Sequence, residues 1–377
     1  MDLRLFIALL VLAVFVLGCT SQDVVNITKP ETHVSKPPQL NISVSNTTAV
    51  VPNNAISEPV NFCKKVMLTN SNTTKRYLYF HDNKISWFDD MGQNSQLSIL
   101  DIDKNVTHTI FNSLDNPISL NHPSFEDAIV LRGVEVFNLT SNKTEKYNPP
   151  GSESKKDANI WNDMVVFSQE QFTAYEVYYV NLSEEPEIHA HRVYAETAVD
   201  NRLPKIYSNI IVWQAYNVHT GMSKILLYNL SERGNETVYQ FIFNGKFAYT
   251  FYVEYLPKIV ELASGNVEGQ ELYSNNVVWQ GMTGSNWNIY YYDALSNKTV
   301  KITKDSFNHT NPKVSSSYII WEDYRNGNWD IYAYDFTKQK EIQLVTDSSN
   351  QTEAAIFSNR VVWIENNQIY TCLIENN

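Results

Sequence analysis

The stretch "WEDYRNGNWDIYAYD", Trp321 to Asp335, is one copy of a unit that recurs along the chain. That recurrence limits the possible folds more than any other feature of the sequence. "YSNNVVWQGMTGSNWNIYYYDALSNKTVKIT" (Tyr273 to Thr303) matches "SSYIIWEDYRNGNWDIYAYDFTKQKEIQLVT" (Ser316 to Thr346), and "FSNRVVWIENNQIYTCL" (Phe357 to Leu373) follows. Earlier copies are "YSNIIVWQAYNVHTGMSKILLYNL", "WNDMVVFSQEQFTAYEVYYVNL", "FEDAIVLRGVEVFNL" and "HDNKISWFDDMGQNSQLSILDI". The aromatic or apolar residue closing the second strand of each unit serves as an anchor: Trp87, Leu131, Phe167, Trp213, Trp279, Trp321 and Trp363. Their separations of 44, 36, 46, 66, 42 and 42 residues give seven units with a period near 42. That is the length of a four-stranded propeller blade.

Within a unit the strands are read from alternating aromatic and β-branched residues between polar turns. In the copy around Trp321 they are Pro312 to Ser315, Tyr318 to Trp321, Asp330 to Tyr334 and Glu341 to Val345. The reading is an all-β chain: a single β-propeller of seven four-stranded blades over 61–377. The Ser-Asn pair before "VVW", the following "IYxYD" and the closing "LT" resemble the TolB-like, WD40-like propeller repeats of archaeal surface proteins.

The last unit ends one strand short, at Asn377, and a spare strand, "FCKKVMLT" (Phe62 to Thr69), lies at the start of the repeat region. Thr69 precedes Trp87 by 18 residues, as Thr303 precedes Trp321, so the N-terminal strand is expected to complete the last blade and close the ring. This would leave few open edges. Cys63 lies on that strand and Cys372 on the strand it would pair with, so a disulfide between them is expected, the alternative being two unrelated thiols. Two cysteines without a nearby histidine do not make a zinc site.

Residues 1–18 read as an export signal, with an apolar run from Leu5 to Leu17 that is too short to span a bilayer. The sequence Val16-Leu17-Gly18-Cys19 resembles a prokaryotic lipobox, which implies lipidation at Cys19 and membrane attachment through that lipid alone. Replacing Cys19 by Ser is expected to release the protein to the medium. Retention of that variant on membranes would point instead to an uncleaved anchor. Residues 19–60, rich in Ser, Thr, Pro and Asn, read as an extended tether. Sequons lie in the tether at Asn26, Asn41 and Asn46. In the repeat region they lie at Asn72, Asn105, Asn138, Asn142, Asn181, Asn229, Asn235, Asn297, Asn308 and Asn350, each a glycosylation candidate. Lipobox and sequons together point to an archaeal cell surface.

A net charge of −12 and the lack of any Lys/Arg run exclude a nucleic-acid partner. Neither a Gly-x-Ser-x-Gly elbow nor a nucleotide-binding fingerprint occurs, so no catalytic residue and no cofactor is assigned. His189 and His191 could form a metal pair but read better as a polar edge, and no metal site is assigned. The tandem acids Asp89-Asp90 and Glu322-Asp323 point to opposite strand faces and read as solvated. Asp323, Asn326, Asn328 and Asp330 approach the ligand spacing of a calcium loop. Asn326-Gly327 equally suits a plain hairpin turn, and the matching loop Gly281 to Asn288 has no carboxylate. The interval from Trp213 to Trp279 holds an aromatic insertion, Phe241 to Asn266. It reads as an extra hairpin or a bulged fourth strand, or as a ligand loop. As a ligand loop it would share a face with the loops between second and third strands, giving a candidate surface of Tyr216, His219, Tyr249, Tyr252, Trp287, Tyr324 and Arg325. The expected role is a monomeric, surface-displayed binding or scaffolding module for a protein or glycan partner. The alternative is a polysaccharide-active lyase or glycosidase.

Overall fold

The computed structural model describes residues 63–90, 95–111, 128–131, 135–138, 143–146, 155–171, 174–184, 190–194, 199–232, 237–243, 246–253 and 259–375. They form a β-propeller with six four-stranded blades. Blade 1 is Thr74–His81, Lys84–Asp90, Ser95–Asp101 and Val106–Phe111, from the channel outward. The inner strands of blades 2 to 6 are Lys155–Trp161, Val199–Tyr207, Val267–Tyr273, His309–Val314 and Thr352–Phe357. Each is followed by an antiparallel partner reached through a short turn.

The expected count of seven is therefore corrected to six. The unit around Leu131 forms a three-stranded sheet of Ala128–Leu131, Glu135–Asn138 and Lys143–Lys146. Its first two strands are joined by only three residues, and its anchor-to-anchor length of 36 is the shortest of all. The other six anchors fill the cores of six blades: Trp87 is 4% exposed, Trp279 2%, and Phe167, Trp213, Trp321 and Trp363 are fully buried.

The ring closes as the sequence leads one to expect. Val66–Met67 is the outer strand of blade 6, pairing with Gln368–Leu373 in the register Val66 to Thr371 and Met67 to Tyr370. Cys63 bridges to Ile374 and is disulfide-bonded to Cys372, with Cα atoms 5.3 Å apart. That spacing suits neighbouring antiparallel strands.

One local feature repeats in every blade and sets the geometry of the channel. Each inner strand carries a residue at positive φ: Tyr77, Asp157, Leu203, Gly269, Asn311 and Glu353, between 51° and 67°. Each lies at a break in register with the second strand. These are β-bulges, which bend a strand and increase its twist. Only one of the six is glycine, so five side chains hold a conformation disfavoured for L residues. Several of the bulges are tied from blade to blade. The Leu78 N–H donates to Glu353 Oε2 at 3.0 Å, the Leu203 N–H to Asp157 Oδ2 at 3.3 Å, and the Asn311 N–H to Gln280 Oε1 at 2.6 Å. Glu322 Oε1 accepts from Asn311 Nδ2 at 2.6 Å and from the Ala354 N–H at 3.4 Å. Burial pushes the Glu322 and Glu353 carboxyl groups above their usual range, and these hydrogen bonds pull the other way.

Candidate functional site: the collared mouth of the central channel

Counting forward from each bulge builds the channel wall. Side chains on a strand alternate faces, so positions two and four beyond the bulge share the channel side. Two beyond lie Tyr79, Asn159, Lys205, Glu271, Lys313 and Ala355. Four beyond lie His81, Trp161, Tyr207, Tyr273, Ser315 and Phe357. All of these except Ser315 line a cavity of about 90 Å³. The second set forms the mouth, because each member directly precedes the turn to the second strand. In five blades that turn has two residues, Asp82-Asn83, Asn162-Asp163, Ser208-Asn209, Ser274-Asn275 and Ser358-Asn359, the first of each pair at positive φ. Asn, Asp and Ser suit such positions.

Five of the six mouth residues are aromatic, and all five are half-buried. They form two arcs. Trp161 and Tyr207 have ring centroids 3.7 Å apart, and Tyr207 and Tyr273 4.9 Å apart. His81 and Phe357 are 4.5 Å apart. Burial takes the His81 imidazole down to about 4, so it is neutral at ordinary pH. Blade 5 interrupts the collar: Ser315 is fully buried and its hydroxyl donates to the Ser358 carbonyl at 2.8 Å.

Beneath the collar lies a charged floor. Lys313 Nζ is 2.6 Å from Glu271 Oε1, and Lys205 Nζ is 3.3 Å from Glu271 Oε2. Burial pushes the Lys205 amine below its ordinary value, Glu271 opposing and Lys313 adding to the effect. The channel thus offers flat aromatic faces at the rim and ammonium, carboxylate and amide groups below. The sequence displays the collar in plain form, as the aromatic before each turn in "YSN", "FSN", "WND" and "HDN". Read strand by strand, it passes for an ordinary strand end.

The surface expected from sequence lies on the other face. Tyr216, His219, Trp287, Tyr324 and Arg325 do gather at the turns between second and third strands. His219 is exposed and Tyr324 is 41% exposed, its ring 5.0 Å from that of Trp329. Arg325 is not free for a ligand. It bonds Asp323 and Glu341, lies 3.3 Å from Asp305, and covers the Tyr332 ring at 4.1 Å. Burial opposes its charge, but Asp323 and Glu341 outweigh burial and raise its pKa.

The insertion forms the extra hairpin, and not a loop between the fourth strand and the next blade. Thr237–Phe243 and Lys246–Val253 form a separate two-stranded hairpin between the third and fourth strands of blade 3, Ser223–Asn229 and Val260–Gly265. Asn229 pairs with Ile210, beside the turn that follows Tyr207, so the chain leaves blade 3 on the collar face. Tyr249 and Tyr252 belong to this hairpin, and their side chains lie outside the described residues.

Three of the four tandem acids are corrected from solvated to structural, while Asp90 stays partly exposed beside Arg76. Asp89, Glu322 and Asp323 are 8%, 7% and 0% exposed. The Trp87 indole donates to Asp89 at 2.7 Å, Trp321 to Asp323 at 2.9 Å, and Trp363 to Glu365 at 3.2 Å. In the loop that approached calcium spacing, Asp323 accepts from Trp321 and Arg325. Asp330 accepts from Asn326 at 2.7 Å and from Asn328 at 2.8 Å. With these bonds the four side chains tie the hairpin together through N–H donors to their carboxylates. Among the described residues no three His, Cys, Asp or Glu side chains group as metal ligands. His191 stacks on Tyr179, and His189 lies outside the described residues.

The described sequon side chains are all accessible: Asn72, Asn105, Asn297 and Asn350 are exposed, and Asn181, Asn229 and Asn308 half-buried. The Asn138 side chain, Asn142 and Asn235 lie outside the described residues, as do Cys19 and the tether.

No protein-family model and no curated protein matches the chain. Solved structures do, and the class they share with it is the β-propeller. An oligogalacturonate lyase in complex with manganese aligns with a TM-score of 0.56 at 12% identity, over 83% of this chain and 94% of that one. A puromycin-hydrolyzing peptidase of Mycobacterium tuberculosis gives 0.55 at 9% identity, over 78% of this chain. The chain spans about half of that peptidase, 49%. TolB from Agrobacterium tumefaciens aligns at 0.40 with 16% identity, over 61% of this chain and 76% of that one. At these identities the likeness is one of fold.

Proposed function

We propose that the protein is a binding module, carried outside the cytoplasm on a lipid-anchored tether, whose ligand seat is the collared mouth of the central channel. The observation that carries this reading is the set of five half-buried aromatic side chains above Lys205, Glu271 and Lys313. Aromatic walls with a few convergent polar groups make binding sites for small molecules and chain ends. A glycan or a protein segment meets that description, and the inward-lying aromatics distinguish the mouth from a plain strand terminus.

Of the two cleavage readings, lyase and glycosidase, the glycosidase is the weaker. A glycosidase needs two carboxylates free to act as acid and base or nucleophile. Glu271 is the single carboxylate among the described channel-lining residues, and two ammonium groups hold it. The test is a screen of the exported chain against glycans and envelope proteins, followed by variants. Trp161→Ala and Tyr207→Ala should each weaken the selected ligand by about tenfold or more, equivalent to about 1.4 kcal/mol. His219→Ala and Tyr324→Ala, on the opposite face, should leave binding unchanged. The reverse pattern would move the seat to the other face and overturn the proposal.

A further inference from the structure

The face opposite the collar carries an exposed aromatic strip. Phe307 is 45% exposed, Tyr324 41% and Met282 38%, with Trp287 and Trp329 half-buried among them. Met282 stands opposite Trp287 in register, and the Tyr324 and Trp329 rings are 5.0 Å apart. Asn308 joins the two pairs. Its Oδ1 accepts from the Trp287 N–H at 3.0 Å, and its carbonyl accepts from the Tyr324 N–H at 3.0 Å. Single exposed apolar residues need no explanation, but a contiguous group marks a surface that something covers.

The arrangement returns 42 residues later, where Asn350 Oδ1 accepts from the Trp329 N–H at 2.9 Å. Asn308 and Asn350 each begin a sequon, completed by Thr310 and Thr352. Both are held through oxygen alone: neither Nδ2 makes a hydrogen bond with a described residue. The asparagines directly before the two tryptophans do the reverse. Asn286 Nδ2 donates to the Ser306 carbonyl at 2.6 Å, and Asn328 Nδ2 to the Asp347 and Ser349 carbonyls at 2.9 and 3.1 Å. Asn83, Asn311, Asn326 and Asn359 also donate through Nδ2. None of these six begins a sequon.

The division has a chemical consequence. N-linked glycosylation replaces one Nδ2 hydrogen with a sugar carbon and leaves Oδ1 an acceptor. An asparagine held through Oδ1 keeps its bond when modified, whereas one held through Nδ2 gives up a donor.

We infer that Asn308 and Asn350 carry N-linked oligosaccharides whose first sugars lie over Trp287, Phe307, Tyr324 and Trp329, so that the chain's own glycans cover this face. The inference rests on the reading that the chain is exported, and it is independent of the channel seat. The donor is a lipid-phosphate-linked oligosaccharide. The bond from Nδ2 to the sugar C1 forms, the bond from C1 to the phosphate oxygen breaks, and the lipid phosphate leaves as Nδ2 loses one proton. A pyranose presents C–H groups on a flat face and hydroxyls at its edge, and aromatic rings match that face. A protein partner is the rival cover. It needs polar groups to fix its orientation. Those of the strip are spent, Arg325 on Asp323 and Glu341, Asn286 and Asn328 on the loops.

Glycopeptide mass spectrometry of the chain from the cells that make it, with hydroxyl-radical footprinting of the same material, tests this. Asn308 and Asn350 should be occupied. Thr310→Ala with Thr352→Ala deletes both sequons and keeps both asparagines. Oxidation at Phe307, Tyr324 and Trp329 should then rise, while Trp161 and Tyr207 on the collar stay as they were. Asn308→Asp with Asn350→Asp, which keeps the acceptor oxygens, should give the same rise. Misfolding would raise oxidation on the collar too, and occupancy in the natural chain decides the modification whether or not the variants fold. Bare Asn308 and Asn350 in a chain modified at Asn72, in the matching loop before blade 1, would overturn the inference and leave export standing. A chain bare at every sequon would overturn it at its premise, a glycosylating compartment, and leave the channel seat untouched. Occupied asparagines with footprints unchanged in both variant pairs would overturn the cover.

Discussion

Breaking the Cys63–Cys372 bond, by reduction or as the Cys63→Ser, Cys372→Ser double variant, should lower unfolding stability by about 5 kcal/mol. The bond spans 309 residues. In the chain-entropy model the stabilisation grows with the logarithm of the loop, which puts this bond near the top of the range. It also carries a closure that is weak without it. The closing strand, Val66–Met67, is two residues long, and its side chains are 49% and 50% exposed. Beyond the disulfide, the Leu68 N–H donates to the Ile369 carbonyl at 2.8 Å, and Lys65 pairs with Glu365 and Asp347 and lies 4.3 Å over the Tyr370 ring. The Lys65–Asp347 pair is solvent-exposed and adds little, and on the Glu365 side only one partner is buried. The loss should therefore appear at one seam first. Hydrogen exchange should quicken at Leu68 and Ile369 before the amides around Trp213 or Trp279 respond, and the melting temperature should fall by about 10 °C. Unchanged exchange at that seam after reduction would mean that the ring is held elsewhere.

Asp323→Ala should destabilise by about 3–5 kcal/mol, the cost of removing one member of a buried charged network. Asp323 is fully buried. It accepts from the Trp321 indole at 2.9 Å, the Arg325 backbone N–H at 3.0 Å and the Arg325 guanidinium at 2.9 and 2.6 Å, and His309 Nε2 lies 3.4 Å away. Truncation strands the indole N–H and takes from Arg325 its two-toothed partner, leaving Glu341 and Asp305. Trp321→Phe removes a single donor and some packing, and should cost less than Asp323→Ala. Thermal melts of both variants with and without calcium give the answer. If added calcium raised the melting temperature of the natural chain and not that of Asp323→Ala, these oxygens would be metal ligands and the hairpin assignment would fail.

How much of this was legible in advance differs from element to element. The blade cores were, because a buried Trp or Phe on the second strand of each four-stranded blade is a bulky residue at a regular spacing. The closing strand was, because a unit lacking its fourth strand and a strand lacking its unit leave one economical arrangement. For the insertion the sequence shows the extra hairpin but not its place: as a ligand loop Phe241 to Asn266 reads as following the fourth strand, whereas the structure uses Val260–Gly265 as the fourth strand and inserts the hairpin before it. Linear spacing cannot say which of two strand-like stretches pairs with Ser223–Asn229. The acids at Asp89 and Asp323 were misread for a related reason. A carboxylate next to a strand end is normally wet, and the indole two residues earlier becomes its partner only once both are buried.

The sequence by itself determined that the repeat region is all-β and that it is built from a unit of about 42 residues with a large aromatic on the second strand, and it pointed to a meeting of the region's two ends at Cys63 and Cys372, which the structure bonds. These properties are periodic or covalent, and periodicity and pairing survive in one dimension. The tertiary structure alone decided that the described residues form six four-stranded blades, the unit around Leu131 giving only three strands, that Arg325 is consumed by Asp323 and Glu341, and that His81, Trp161, Tyr207, Tyr273 and Phe357 meet around one opening. Those residues come from five blades and lie up to 276 positions apart in the chain. Each looks ordinary at the end of its own strand. They come together because the bulged inner strands of the described blades bring the same position of the repeat to the same end of one channel.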